Sequence, residues 1–87
     1  MIIISEMSRQ QLTDWVIDLL AQMFEIDKSG MTLQSNLYED LDIDSIDAVD
    51  LAVKLKQMTG KRLSPEVFKE IHTIEDIVAA LSTLSPD

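Results

Sequence analysis

The residues of this chain best suited to chemistry crowd into one stretch, Asn36-Leu-Tyr-Glu-Asp-Leu-Asp-Ile-Asp-Ser-Ile-Asp-Ala-Val-Asp-Leu51. It holds six carboxylates, no basic residue and one serine, Ser45, set where a long connection meets a predicted helix start. Unpaired backbone N–H groups and the positive end of a helix dipole both favour an anion at such a point. The serine hydroxyl is therefore well placed to carry a phosphodiester. The loop in front of it leaves it open to a modifying enzyme.

Two other readings of the same residues compete. Asp40, Asp42 and Asp44 match positions 1, 3 and 5 of a calcium-binding EF-hand loop. The match then fails, because Ser45 stands where the turn needs Gly and Leu51 where the ion needs a bidentate Glu. A specific metal site does not follow. The second reading is structural, since a serine near a helix start is by base rate a cap. Here Asp44 can supply the cap itself, which leaves Ser45 free.

Little else in the chain offers chemistry. Cysteine is absent, so disulfides, thiolate metal sites and thiol nucleophiles are excluded, and any thiol must come from a cofactor. His72 is a lone histidine with no recognisable nucleophile motif, which reads as structural or solvent-facing. Trp15 and the five methionines read as core. No acid/base pair or phosphate loop is visible, so an enzyme is the weakest reading.

Eighty-seven residues allow one domain, spanning 1–87. A chain this short buries only about 60% of its unfolded surface, so modest stability is expected. The net charge of −9 disfavours nucleic acid and anionic membranes and favours partners with basic patches. An apolar fraction of 46% is too high for a disordered acidic tail. Met1-Ile2-Ile3-Ile4 ends at Ser5-Glu6 and lacks the basic start and length of a signal peptide. No run is long enough to span a membrane. The expectation is a cytoplasmic monomer.

Four helices must position the acidic stretch. The first is predicted from about Ser8 to Phe24, opened by Ser8 and Gln11 as a capping box. Leu12, Val16, Leu19, Leu20 and Met23 recur on one face, with Asp14 and Asp18 on the other. From Glu25 to Asp44 no period is sustained. A connection so long is usually functional or contains a helical turn of its own. Leu33, Leu37 and Leu41 are spaced to pin it to the core. The second helix is predicted from Asp44-Ser45 to Gly60, with Asp44 as N-cap and Gly60 in a left-handed closing position. Its apolar face reads as Ile46, Val49, Ala52, Val53 and Leu55. Asp47, Asp50 and Lys54 lie outside, Asp50 and Lys54 in favourable i,i+4 order. Ser64-Pro65 opens a short third helix to about Ile71. Thr73 caps a fourth bearing Ile74, Ile77, Val78, Leu81 and Leu84. The fold class is all-α: three longer helices and one short one, with a long loop between the first and second.

Asp40-Leu41, Asp44-Ser45-Ile46-Asp47 and Val49-Asp50-Leu51 together resemble the attachment motif of acyl carrier proteins. The usual tripeptide there is Asp-Ser-Leu, of which Asp-Ser-Ile is an accepted variant. The resemblance runs through nearly the whole chain, including Leu63 to Ile74 as the short third helix and the start of the fourth. It implies an acyl-carrier-like bundle that performs no catalysis. It also implies a 4'-phosphopantetheine arm on Ser45, donated by coenzyme A through a phosphopantetheinyl transferase using Mg²⁺. Acyl intermediates of fatty-acid or polyketide-like biosynthesis would ride on the arm as thioesters, presented to acyl- or ketosynthases. Val49, Val53, Leu55, Leu63, Phe68 and Ile71 are then candidates to line a pocket for the acyl chain, although each also reads as ordinary core. Asp44, Ile46, Asp47 and Asp50 are candidates for partner docking, against the bland reading of a solvated charged face.

The chain departs from the primary fatty-acid carriers in its positive charge. Lys54, Lys56, Lys61 and Arg62 follow the acidic flank, which makes the surface dipolar. Phe68 stands where a small residue is common. Leu37-Tyr38-Glu39-Asp40 with Thr59-Gly60-Lys61 resembles carriers of bacterial aryl-polyene or related polyketide-like clusters. Two rival functions stand beside this reading. One is a peptidyl or D-alanyl carrier, whose Gly-Gly-His/Asp-Ser pattern and lower acidity do not fit. The other is an unmodified helical interaction module binding through its acidic face.

Overall fold

The computed structural model describes residues 6–60 and 65–83. Among the described residues four helices follow one another: α1 (Arg9–Phe24), α2 (Ser45–Thr59), α3 (Pro65–Lys69) and α4 (Ile74–Thr83), with a 3₁₀ turn at Lys28–Gly30 inside the α1–α2 loop. Among the described residues no strand forms; Asn36 and Thr73 make an isolated bridge.

Each long helix begins with a reciprocal cap. At α1, Ser8 Oγ accepts from the Gln11 N–H while Gln11 Oε1 accepts from the Ser8 N–H, at 3.1 and 2.8 Å. At α4, Thr73 Oγ1 accepts from the Asp76 N–H at 3.2 Å, and Asp76 Oδ2 accepts from the Thr73 N–H at 3.1 Å. α1 stops where Glu25 turns left-handed, and α2 where Gly60 does.

The core joins all these parts. Leu12, Val16, Leu19 and Leu20 of α1 meet Ile74, Ile77, Val78 and Leu81 of α4, with Leu51 and Leu55 from α2. The long loop contributes Met31, Leu37 and Ile43, and Leu33 and Leu41 pack partly buried against the same cluster. Leu84 lies outside the described residues, as do Ser64, Lys61 and Arg62.

Two elements differ from the sequence expectation. α3 ends at Lys69, because the Glu70 and Ile71 N–H groups donate to the Val67 and Phe68 carbonyls, tightening the chain into 3₁₀-type bonds. The buried face of α2 is Ala48, Leu51, Leu55 and Thr59. Ile46, Val49 and Val53 are 72%, 63% and 52% exposed. Two apolar stripes run along this helix, and periodicity merged them into one. Asp50 and Lys54 do not form the expected ion pair; among the described residues the ion pair is Lys28–Asp18, at 2.8 Å.

Candidate functional site

The loop before Ser45 is held by the backbone of the α3–α4 junction. The Leu37 N–H donates to the His72 carbonyl at 2.8 Å, the Ile74 N–H to Ser35 at 3.2 Å and the Glu75 N–H to Leu33 at 2.9 Å. Asn36 then builds a tight turn. Its Oδ1 accepts from the Tyr38 and Glu39 N–H groups, and Asp40 Oδ2 accepts from the Asn36 N–H at 2.7 Å. Asp42 takes the left-handed region, φ 56°, and Ile43 drops back into the core with its N–H on the Leu37 carbonyl. The chain is thus fixed up to the residue before the cap.

Asp44 caps α2. Its Oδ1 accepts from the Asp47 N–H at 2.9 Å, and Asp47 Oδ2 faces the Asp44 N–H at 3.4 Å. Ser45 is therefore the first helical residue and is exposed. Among the described residues its own N–H and that of Ile46 have no hydrogen-bond partner, as expected for a first turn. An exposed hydroxyl beside two free amide donors at a helix N-terminus suits a phosphodiester.

Ser45 also lies on the edge of an apolar groove. Tyr38 from the loop, Ser45, Ala48, Val49, Ala52 and Val53 from α2, and Phe68 and Lys69 from α3 line a cavity of about 480 Å³. Such a volume is in the range of small-molecule sites. Chemically the place offers a solvent-accessible oxygen and, adjoining it, a channel for a hydrocarbon chain.

The sequence-predicted residues fall into three groups. Val49, Val53 and Phe68 line the groove. Leu55 and Ile71 do not: they are 0% and 2% exposed and belong to the core. Each sits where its backbone turns it inward, Leu55 on the buried face of α2 and Ile71 at the tightened end of α3. Leu63 lies outside the described residues. Of the docking candidates, Asp44, Ile46 and Asp50 are exposed and Asp47 is half-buried. Asp44 and Asp47 are also occupied as the two halves of the cap, so they are not simply solvated charges. Tyr38, Ala48, Ala52 and Lys69 were missed as groove residues. The i,i+4 pair of alanines beside Ser45 was the readable signal, because small residues on a helix flank leave space next to it.

Two of the three carboxylates that mimic calcium ligands are otherwise engaged, Asp40 on the Asn36 N–H and Asp44 in the cap. Among the described residues no group of three or more His, Asp or Glu is arranged to hold a metal. The perturbed carboxylate nearest this scaffold is Asp76. The His72 N–H holds it below the ordinary aspartate value, helped by Thr73 and the His72 charge and opposed by partial burial.

Comparison with known proteins agrees with this geometry. The family model described as the phosphopantetheine attachment site matches residues 14–81. Acyl carrier protein 2 of Ralstonia nicotianae is 41% identical over 78 residues, covering 90% of this chain and 96% of the relative. The structure of a thermally stable acyl carrier protein from Enterococcus faecalis superposes with a TM-score of 0.75 at 26% identity, covering 91% of this chain and 100% of that one. The apo doublet acyl carrier protein from prodigiosin biosynthesis gives 0.74 at 27% identity, covering 90% of this chain and 38% of that one. Among the described residues no helix is long and apolar enough to cross a membrane.

Proposed function

We infer that Ser45 is the attachment residue of this chain, which belongs to the acyl carrier proteins, the family that carries acyl intermediates on a 4'-phosphopantetheine arm. The arm supplies a terminal thiol on which acyl groups are held as thioesters. The observation that carries the assignment is the division of labour at the start of α2. Asp44 takes the cap, so Ser45 keeps an exposed hydroxyl beside two unpartnered N–H groups and the apolar groove.

Loading forms a bond from Ser45 Oγ to phosphorus and breaks the pyrophosphate bond of coenzyme A, with the nucleotide half leaving. The hydroxyl proton passes to a base of the transferase. The chain itself contributes position. Ser45 sits on a helix anchored through Ile43 and Leu37, so a tethered substrate searches a small volume around each partner site. Val49, Ala52, Val53 and Phe68 give an apolar chain a place out of water.

Docking is assigned to Asp50 and the exposed apolar ridge Ile46–Val49–Val53, with Asp44 and Asp47 adding field at the helix start. Partners are a phosphopantetheinyl transferase and acyl- or ketosynthase-type enzymes with basic patches. Exposed Lys54 and Lys56 and the bulky Phe68 in the groove favour a specialised, polyketide-like pathway. The chain acts as a cytoplasmic, monomeric, non-catalytic single domain. Incubation with coenzyme A and a broad-specificity transferase tests the reading by intact mass. One phosphopantetheinyl group is expected on the wild type and none on Ser45→Ala; no gain with several competent transferases would favour an unmodified interaction module.

A further inference from the structure

We propose that Lys69 is the counter-ion of the phosphodiester at Ser45 and thereby biases the arm to lie in the groove between α2 and α3. The inference rests on the assignment of Ser45 and adds to it a residue on a different helix.

Three observations point to Lys69. Among the described residues it is the only charged side chain lining the groove, and Ser45 lines the same groove from α2. Its side chain is exposed and, among the described residues, has no ion-pair partner. The other charges at the start of α2, Asp44 and Asp47, are negative, in a chain of net charge −9. A phosphodiester placed on Ser45 would therefore stand beside the amide donors of the helix end, in a groove that one cation also lines. Lys54 and Lys56 lie further along α2 and do not line the groove, so they do not compete for this role.

The physical consequence is a conformational bias. An arm anchored only at Ser45 extends into solvent or lies along the groove. The ammonium favours the second by holding the phosphate end over the Phe68 side. The methylene stem of Lys69 also extends the apolar wall. An exposed pair is weak and screened by salt, so the bias is modest and adjustable, which lets a partner draw the arm out.

The test uses the modified protein, its added mass verified, as wild type, Lys69→Gln and Lys69→Arg. Phosphorus NMR reads the environment of the phosphate, and alkylation of the terminal thiol by an uncharged maleimide reads arm exposure. Lys69→Gln should shift the phosphorus resonance and speed alkylation by about two- to fivefold at low salt, the range of an exposed ion pair. Lys69→Arg should stay near wild type, and the difference should vanish in high salt. The phosphorus shift should change equally when the arm carries acetyl or malonyl. Equal resonances and rates in all three proteins would overturn the proposal. A change seen only with malonyl would also overturn it, because Lys69 would then serve a cargo carboxylate. Failure of any added mass would remove the Ser45 assignment and this inference with it. Added mass with silent Lys69 variants would remove this inference alone.

Discussion

Replacing Asp76 with alanine should loosen the mounting of the Ser45 loop from a distance. Asp76 Oδ2 accepts from the His72 N–H at 2.9 Å and the Thr73 N–H at 3.1 Å, closing the junction between α3 and α4. That junction gives the loop its hold, through the His72 carbonyl that accepts from Leu37. Removing a capping side chain of this kind costs about 1–2 kcal/mol, toward the upper end because two donors lose a charged acceptor. For a domain of this size, that corresponds to a fall in Tm of about 4–16 °C. Asp76→Asn keeps an acceptor without the charge and should fall between.

The pH dependence gives the sharper test. The folded-state value of Asp76 lies below its ordinary 3.8, so its contribution is fully present above 3.8 and is lost as pH falls through the folded value. The gap between wild type and Asp76→Ala should therefore be full at neutral pH and narrow as pH falls below 3.8. Thermal melts by far-UV circular dichroism measure the gap, and hydrogen exchange at the Leu37 amide measures the loop. A gap that is absent at neutral pH, or unchanged in acid, would refute the claim that this carboxylate pins the junction.

Three further outcomes follow from the site. Asp50→Lys should slow transfer of the arm by the transferase with helical content unchanged, since Asp50 is exposed and outside the cap; equal loading rates would clear this flank of a docking role. Asp47 is unsuited to that experiment, because reversing it also breaks the cap of α2. At left-handed Asp42, Asp42→Gly should exceed Asp42→Val in stability by about 1–2 kcal/mol, read from urea midpoints; equal midpoints would deny the backbone constraint. Ala52→Leu should fill part of the groove and expose long acyl thioesters to hydroxylamine, by up to about fourfold per displaced methylene, while acetyl thioesters cleave as before; unchanged long-chain rates would place the chain elsewhere.

Helix starts were legible in the sequence because capping is local chemistry. Ser8 with Gln11, Asp44 and Thr73 each sit within three residues of the group they satisfy, and Gly60 closes α2 as its type predicts. The pinning leucines of the loop were legible too, Leu37 fully buried and Leu33 and Leu41 packed against the core. What periodicity could not resolve was α2, where Ile46, Val49 and Val53 recur as regularly as Leu51 and Leu55. The sequence records that both sets are apolar; only the position of α1, α4 and α3 decides which is covered. The same limit put Leu55 and Ile71, which the fold buries in the core, among the candidate pocket residues. It also hid Tyr38 and Lys69, which line the same groove as Ser45 from the loop and from α3.

The angular layout of α2 explains how one helix serves core, groove and surface together. At 100° per residue, Leu51 and Leu55 point to the core, Ser45, Val49 and Ala52 toward α3, and Ile46, Asp50 and Lys54 outward. The boundary between core and groove is set by Ala48 and Ala52, one turn apart. A leucine at half-buried Ala52 would bury more apolar surface, yet it would fill the space beside Ser45; at Ala48, already 5% exposed, the added bulk would press on the core as well. The small residues there leave the groove open beside Ser45. Ala48→Leu should accordingly behave like Ala52→Leu in thioester exposure. A groove still open to long chains in Ala48→Leu would mean that the alanines answer to helix packing alone.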